Sequence, residues 1–527
     1  MSTLSPKLYD ELNKAWKSTC RILFGEEIGE LEDFSEWTGE YSYRGAVRGS
    51  HVSGKPVHTA TGEYCDGSRF VSADEIREAS APLDINRIKD LDSVLDALSE
   101  RWEYSGNRMI GNCRCVDTSD KVYDSSYVSS SSDIKKSSAI FSSFSTHKSS
   151  HVFGSAFTDG CNFLVRSIDV LNATRCLEAH LVQEVSDAYF CYDCKSCHDI
   201  LFSFHQQNKR YCIGNLELPK DKYLDIKTKL IGEIREKLKR TKKFPSLFKL
   251  VPDTSPDRIA IASEATKQET NVGPINKSFS SLGKILFQRE IGGTIEDYEA
   301  WLSAKTASLE EVETPFGGRT YLPHKPEYEP YLSLFPKKRW VTYEEAQGLG
   351  AIHLDEADVI GLKTIENGLA RIGFFNMGGI IGKNAGLVKC TSVYNVSNVY
   401  RGHAVVSSEN VGVSSAVLGS KNVFGSHAVI GSAFCMKCYY STELNRCFEV
   451  DSSTKCSDTY FAHNCEGLQD AMFCFNAKGK RHAIGNMELQ PDQYKKIKGL
   501  LISQIADELS KERQLRLDIF NIGCRRK

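Results

Sequence analysis

Four cysteines in the first half of the chain have a spacing that could bind a metal ion. Cys191, Cys194 and Cys197 follow one another at intervals of three, His198 comes next, and Cys212 lies further along. A structural zinc site needs four ligands in a tetrahedron, and Cys-x-x-Cys turns commonly supply pairs of them. The sequence therefore offers Cys191, Cys194, Cys197 and Cys212 as a candidate zinc site.

A second copy of this region argues against zinc. Of the corresponding positions in the second half, only the one matching Cys194 holds a cysteine, Cys465, and the other three hold Ala462, Leu468 and Ala483. Elsewhere cysteine exchanges with valine, serine or alanine between the copies, which is typical of a small residue in a tight interior. We therefore expect no cofactor, with zinc in the first half as the alternative.

The histidines are the other candidates for chemistry. No histidine of either repeat region has a histidine at the corresponding position of the other copy. In a single active copy, His403 or His427 would be the general base. The chain shows no Ser-His-Asp order, HExxH motif or kinase signature, and MGGIIGKN at 377–384 lacks the order of a phosphate-binding loop. We predict a non-enzymatic protein, with no catalytic residue beyond these two candidates.

These residues lie within a repeat of six. The stretch HAVVSS ENVGVS SAVLGS KNVFGS HAVIGS at 403–432 places valine at every sixth position from 405 and serine at every sixth from 408. A period of six fits neither a helix nor a simple strand alternation, so it predicts a small unit stacked on itself, a β-solenoid. The same rhythm runs from Val116 to Val152 in the first half, which matches Val393 to Val429 in the second.

The cysteine spacing indicates a coil length. Cys176, Cys194 and Cys212 recur at every third hexad, and a second set of three recurs at this spacing in the other half. We therefore predict a three-sided coil of about 18 residues, in which each set of cysteines forms a vertical ladder.

The hexads, most closely NVFGSHAVIGS at 422–432, resemble those of the hexapeptide-repeat acyltransferases. The resemblance implies a left-handed β-helix that often trimerises, with a histidine acting as general base on an acyl-coenzyme A at a subunit interface; related gamma-class carbonic anhydrases hold zinc with three histidines. The segment CYDCKSCHDILFSFHQQNKRYCIGN at 191–215 also resembles uncharacterised Cys-rich repeat proteins, found mainly in small uncultured bacteria and large viral genomes. That likeness implies a structural or assembly role.

Helical patterns flank both solenoids. Leu8, Leu12 and Trp16 predict one helix, residues 89–102 predict another, and apolar residues three or four apart follow each solenoid from Tyr223 and from Tyr494. The last two helices would cover the open ends of the β-stacks. The predicted fold is α+β, a tandem duplication with these units: α-rich cap 1 (1–112), β-solenoid 1 (113–215), capping helix 1 (216–240), a linker (241–282), α-rich cap 2 (283–386), β-solenoid 2 (387–486), and capping helix 2 with a tail (487–527).

The composition narrows the class of protein and the partners that the chain can have. A chain of 527 residues with 41% hydrophobic and 25% charged residues is globular and longer than one ordinary domain. The net charge of −2 predicts no broad attraction to nucleic acid or to an anionic membrane. No apolar run approaches the ~20 residues that span a bilayer, and the N-terminus lacks a signal-peptide core. We expect a cytoplasmic protein, or a virion protein if it is viral, with its 18 cysteines reduced.

The first functional prediction is a structural or scaffolding protein that assembles through its β-solenoids, with itself or with other proteins of an assembly. Such a protein would be a component of a virus particle or of a large complex. One alternative is an acyltransferase-like enzyme with one active half. The other is a docking subunit of a multiprotein complex. Membranes and nucleic acids are not expected partners.

Overall fold

The computed structural model describes residues 4–43, 45–77, 84–85, 88–256, 261, 268–324, 330–426, 431, 433–437, 439, 446–451 and 453–524. Two parallel β-solenoids account for most of the strands, and helices and short hairpins pack against them. The α+β class predicted from the sequence is therefore confirmed.

The chain begins with the helix α1, which lies along one face of the first solenoid. The helix starts with Pro6, buries Leu8, Leu12 and Trp16, and ends at Gly25, whose φ of 82° suits glycine. Trp16 packs edge-on against Phe153 at 5.3 Å between ring centroids. The elements of this region are α1 (Pro6–Phe24), α2 (Ser35–Thr38), β1 (Ala46–Gly49), β2 (Pro56–Thr59), β3 (Arg69–Ser72), α3 (Leu91–Leu98) and β4 (Glu103–Gly106), with 3-10 turns at Leu31–Phe34 and Ala73–Glu75.

The first solenoid is a sheet of sixteen strands that winds around one interior. Odd-numbered strands from β5 to β15 form one wall, even-numbered strands from β6 to β14 form the other, and β16 joins both. The strands are β5 (Met109–Ile110), β6 (Arg114–Asp117), β7 (Asp120–Tyr123), β8 (Ser126–Ser129), β9 (Ser132–Lys135), β10 (Ser138–Phe141), β11 (Phe144–His147), β12 (Ser150–Phe153), β13 (Ala156–Asp159), β14 (Asn162–Val165), β15 (Ile168–Leu171), β16 (Thr174–Gln183), β17 (Ser186–Tyr192), β18 (His198–Leu201), β19 (Arg210–Ile213) and β20 (Leu216–Glu217).

The second half repeats this order. After α4 (Lys220–Thr241) come α5 (Leu247–Leu250) and α6 (Gly273–Phe287), so helices occupy part of the segment predicted as a linker. The remaining elements are α7 (Glu299–Leu302), β21 (Ser308–Glu313), β22 (Arg319–His324), 3-10 turns at Pro330–Leu334 and Lys337–Arg339, α8 (Tyr343–Leu349), α9 (Leu362–Ile372), β23 (Ile380–Ile381), β24 (Ala385–Val388), β25 (Thr391–Tyr394), β26 (Ser397–Tyr400), β27 (His403–Val406), β28 (Glu409–Gly412), β29 (Ser415–Leu418), β30 (Lys421–Phe424), β31 (Ala433–Met436), β32 (Phe448–Asp451), β33 (Ser457–His463), β34 (Gln469–Phe475), β35 (Arg481–Ile484), β36 (Met487–Glu488) and α10 (Pro491–Glu512).

The strand register corrects the predicted coil length. Val128 pairs with Ile140, and Ile140 pairs with Val152, so one coil contains two hexads. The second solenoid has the same step, as in the pairing of Val405 with Val417. The prediction of three hexads in each coil was wrong because a hexad is half of a coil, not a third. Successive cysteines of each set, one and a half coils apart, therefore alternate between opposite walls and form no ladder.

The backbone bends at every third residue. From Cys115 to His151 every third residue has a positive φ, close to 50°, which gives four bends in each 12-residue coil. One residue between successive bends points inward: Val128, Ser131 and Ile134 are all buried. Because a left-handed residue is unfavourable for most side chains, the stacked hydrogen bonds and the packed interior must hold these bends.

The inward serines form hydrogen-bonded ladders. Ser143 Oγ donates to the carbonyl of Phe141 at 3.0 Å and accepts the N–H of Ser155 at 3.3 Å, one coil further on. Cys161 continues such a ladder, since its N–H donates to Ser149 Oγ at 3.0 Å. The buried hydroxyl of Ser143 is thus hydrogen-bonded on both sides, and serine or cysteine can occupy the same inward position.

Each half sends a segment to the far solenoid. Residues 331–377 share one apolar core with α1, the first solenoid and α4. At the last coils of this solenoid, Leu354 N–H donates to Gly214 O at 2.8 Å and Asn215 Nδ2 donates to Ile352 O at 2.9 Å. These bonds come from the other half of the chain, whereas α4, the helix predicted to cover this end, contacts β19, α9 and α1. Residues 350–354 therefore bond the last coil in addition to α4.

The reciprocal contact joins the first half to the second solenoid. Residues 57–104 share a core with α6, the second solenoid and α10. Trp102 Nε1 donates to Phe473 O at 3.2 Å, and Asn476 Nδ2 donates to Glu103 O at 2.8 Å. A disulfide between Cys65 and Cys524 lies at this junction. The expectation of reduced cysteines is wrong for this pair, whereas the 15 other cysteines in the described part of the chain are free thiols.

Candidate functional site

The structure places three of the four predicted zinc ligands in one coil. Cys191, Cys194 and Cys197 are successive inward residues, and each Sγ lies 3.2 to 3.5 Å from the carbonyl oxygen two residues before it. Cys212 is in register with Ile200, one coil further along. Burial raises the pKa of Cys197 to about 11 and that of Cys212 to about 12, so both remain thiols.

This arrangement does not form a tetrahedral ligand set. Zinc binds thiolates, whereas these thiols point at backbone carbonyls inside a packed stack. Among the residues that the structure describes, no group of three or more histidine, cysteine, aspartate or glutamate side chains is placed to hold a metal ion. The zinc site therefore stays a prediction from the sequence, and the observed packing does not fit it.

The structure describes one of the two histidines proposed as a general base. His427 lies outside the described residues. His403 is 7% exposed, and its Nδ1 makes no hydrogen bond with the described part of the chain. Burial lowers the pKa of His403 to about 4, so the imidazole is neutral at physiological pH.

His403 faces a groove of about 1200 Å³ between the two solenoids. The wall from the first solenoid carries a row of mostly polar side chains, one per coil, and the wall from the second carries apolar ones. Ile381, Leu171 and Tyr394 each expose more than 40% of their surface there. The polar row is His147, Asp159, Leu171, Gln183, Lys195 and Gln207, and the apolar row is Ile381, Tyr394 and Val406.

Segments from both caps complete the groove. Residues 300 and 303–308 line it, together with Tyr331, Phe335 and Tyr343. Glu63 and Lys305 form an ion pair that joins the two caps at its edge. The groove therefore exists only because the two solenoids and their exchanged segments are held together.

Sequence reasoning missed a Ser-His-Asp arrangement. His463 Nδ1 lies 2.6 Å from Asp451 Oδ2, and Ser105 Oγ lies 3.2 Å from His463 Nε2, although Ser105 is 358 residues away in the sequence. The Ser105 N–H also donates to Nε2 at 2.9 Å, and Tyr64 donates to Asp451. All four side chains are buried, so a substrate cannot reach the serine. The network joins the first cap to the second solenoid, and no motif could have indicated it.

No family model, curated protein or solved structure matches this chain. No helix in the described ranges is both long and apolar enough to cross a membrane. The site must therefore be interpreted from its own geometry.

Proposed function

We propose that this is a non-enzymatic binding scaffold, in which two β-solenoids hold a ligand in the groove between them. The observation that carries the proposal is the groove itself: its volume of about 1200 Å³ suits a ligand, and both halves must be present to form it. A convergent polar wall and an apolar wall are the usual lining of a binding site. The role as a docking subunit of a multiprotein complex stays a prediction from the sequence.

The test is a ligand-observed NMR screen of a small-molecule fragment library against the purified protein. Leu171→Trp would narrow the groove, since Leu171 lines it and is 41% exposed. Leu224→Trp is the matched control, because Leu224 is also 41% exposed but lies on α4 and is not among the groove-lining residues. We expect fragments to bind the wild type and Leu224→Trp equally and Leu171→Trp more weakly. An absence of binding fragments, or equal binding to all three proteins, would refute the proposal.

A second candidate is the acyltransferase-like enzyme, which is favoured by the position of His403 in the groove with an unbonded Nδ1. Its lowered pKa makes it a weak base, which is why this function ranks second. Coenzyme A would be the probe. Saturable binding of coenzyme A, lost in Leu171→Trp, together with acyl transfer lost in His403→Gln, would put the enzyme first.

We also propose that the chain arose by tandem duplication. Ion pairs at corresponding positions of the two halves support this: Lys227 lies 3.1 Å from Asp199, and Lys498 lies 3.0 Å from Asp470. The helices α4 and α10, which carry these lysines, both have 22 residues. The hexapeptide-repeat relationship and the role in a virus particle or large complex stay predictions from the sequence.

A further inference from the structure

Three carboxylates occupy one row on the outer face of the first solenoid, and within the described ranges only one of them lacks a partner. Asp133 lies 3.0 Å from Lys135 Nζ and 3.4 Å from His147 Nε2. Asp193 lies 2.9 Å from His205 Nδ1 and accepts a hydrogen bond from Asn376.

Asp169, three coils after Asp133 and two coils before Asp193, makes no hydrogen bond or ion pair with the described part of the chain. Its position in the row follows from the 12-residue register. Several carboxylates line the groove, and among Asp133, Asp169 and Asp193 the described protein supplies partners for the first and the last but leaves Asp169 unpaired.

The surroundings of Asp169 are apolar. The register places Phe157 beside it in the preceding coil and Leu181 in the following coil, and Leu171 follows two residues later on the same strand. None of these side chains can donate a hydrogen bond to the carboxylate. The exposed surface of Asp169 is therefore a wall of the groove, and limited solvation raises the pKa of this carboxyl to about 6.

Two buried imidazoles that line the same groove each have one ring nitrogen without a hydrogen-bond partner in the described part of the chain. The Nδ1 atoms of His180 and His403 make no hydrogen bond within the described ranges, although both side chains are more than nine-tenths buried. Burial lowers the pKa of both rings, so they are neutral at physiological pH. His180 lies one coil from Ile168, the neighbour of Asp169, and its Nε2 already bonds Glu178 at 3.2 Å. These nitrogens are available to accept a hydrogen bond, or to donate one, depending on the tautomer.

We infer that the groove binds an organic ammonium ion, whose charged nitrogen pairs with Asp169 and whose apolar body lies against groove residues such as Leu171 and Tyr394. A carboxylate that the protein leaves unpaired between apolar side chains is complementary to a cation with an apolar body. Aromatic rings that line the groove, among them Phe157 and Tyr394, can add cation–π attraction. The inference rests on the proposed ligand-binding function and specifies the ligand class.

The experiment compares three probes that share one body but differ in charge: 2-phenylethylamine, 2-phenylethanol and phenylacetate. Affinities are measured by calorimetry for wild type, Asp169→Asn and Asp133→Asn. Asparagine fits both positions, because each residue has a φ near 55°, where asparagine is well tolerated. Asp133 is the matched control, since it belongs to the same row but has its own protein partners.

We expect wild type to bind the amine at least about tenfold more tightly than the alcohol, and the acid weakest, because the amine alone forms a charge-assisted bond. Asp169→Asn should lose that advantage, and Asp133→Asn should keep it. Equal binding of amine and alcohol, or unchanged amine binding in Asp169→Asn, would overturn the ammonium class but leave the groove as a site. If no probe binds, the ammonium class fails, and the fragment screen with Leu171→Trp decides the groove separately.

Discussion

The two halves place a buried cation beside a buried glutamate at the same point of the fold, but they stabilise the pair differently. In the first half Arg166 bonds Glu178 and Glu40 and packs on the rings of Trp37 and Tyr41. Glu178 also accepts bonds from Tyr41 at 2.6 Å and from the backbone N–H of Leu247 at 3.0 Å. These donors hold the pKa of Glu178 below its usual value despite complete burial.

The second half has Lys437 and Glu449 at these positions. Lys437 Nζ lies 3.6 Å from Glu449 and packs on Trp301 at 4.8 Å from the ring. Glu449 Oε1 has only long contacts within the described residues, to Tyr439 Oη at 3.4 Å and to the Ile519 N–H at 3.5 Å. Burial therefore outweighs the lysine and raises the pKa of Glu449 to about 7. The repeat fixes the position of a charged pair, but the number of donors around it decides whether the carboxyl is ionised.

The largest effect is expected from breaking the Arg166–Glu178 pair, which has more hydrogen-bond partners than the Lys437–Glu449 pair. Arg166→Met should lower the free energy of unfolding by about 3 to 5 kcal/mol, because it leaves Glu178 charged and buried. Lys437→Met should cost less, about 1 to 2 kcal/mol, because Glu449 can take up a proton instead. Urea denaturation at pH 7 measures both. Equal losses in the two variants would show that the difference in donors has no energetic consequence.

The second prediction concerns pH. Glu449 has a folded-state pKa of about 7, above its ordinary value of 4.5, so the folded state binds this proton more tightly. Its contribution to stability is full below pH 4.5 and is lost as the pH rises through 7. Relative to Glu449→Gln, wild type should therefore lose about 3 kcal/mol of unfolding free energy over that range. The charged groups that face Glu449 are Lys437 and Asp518.

Glu178→Gln is the control for the pH experiment. The pKa of Glu178 is lowered, so its contribution is present above its ordinary pKa and is lost only as the pH falls. The difference between wild type and Glu178→Gln should thus lack the loss expected for Glu449, and any change below pH 6.5 comes from His180, whose Nε2 bonds Glu178. A flat difference for Glu449→Gln would contradict the raised pKa.

A smaller effect on stability is expected at inward serines, which make the same hydrogen bonds in both solenoids. Ser143 in the first and Ser414 in the second each donate to the carbonyl two residues before and accept an N–H from the next coil. Alanine at either position should cost about 1 to 2 kcal/mol, because a buried N–H loses its acceptor. Cysteine should cost less than alanine, since Cys161 already occupies such a position. Denaturant unfolding of the four variants tests this; cysteine no better than alanine would contradict it.

The smallest effect concerns the equivalent surface pairs. Lys227→Met and Lys498→Met should each cost about 0.5 to 1 kcal/mol, because each lysine pairs with a partly exposed aspartate and lies over two tyrosine rings. The two losses should agree within experimental error. A clear difference in thermal denaturation between the variants would show that the two helices dock differently.

The repeat was readable from the sequence, but the number of hexads per coil was not. Nearly every sixth position from Val122 is apolar, with threonine at 146 and 158, because side chains that point into one interior are apolar or have their polar atoms hydrogen-bonded. A period of six is compatible with a coil of two hexads or of three. The number of hexads in a coil depends on where the chain closes on itself, which the bends at every third residue and the pairing of strands decide.

The candidate site was less predictable. His403 was identified from the sequence and does line the groove. Asp169 was not, because it is an ordinary polar residue on an exposed strand face until a second wall stands opposite it. The partners of His463 and of Gly214 come from the other half of the chain, and no local pattern encodes such contacts.

By itself the sequence determined the local structure: helices with one apolar face, and coils with small inward residues in each half of the chain. These features follow from the spacing of apolar side chains, which can be read within short stretches of the sequence. Only the tertiary structure decided the 12-residue coil, the exchange of segments, the buried polar networks and the groove. Each of these depends on which distant surfaces meet, and burial then sets the charge state of residues such as Glu449.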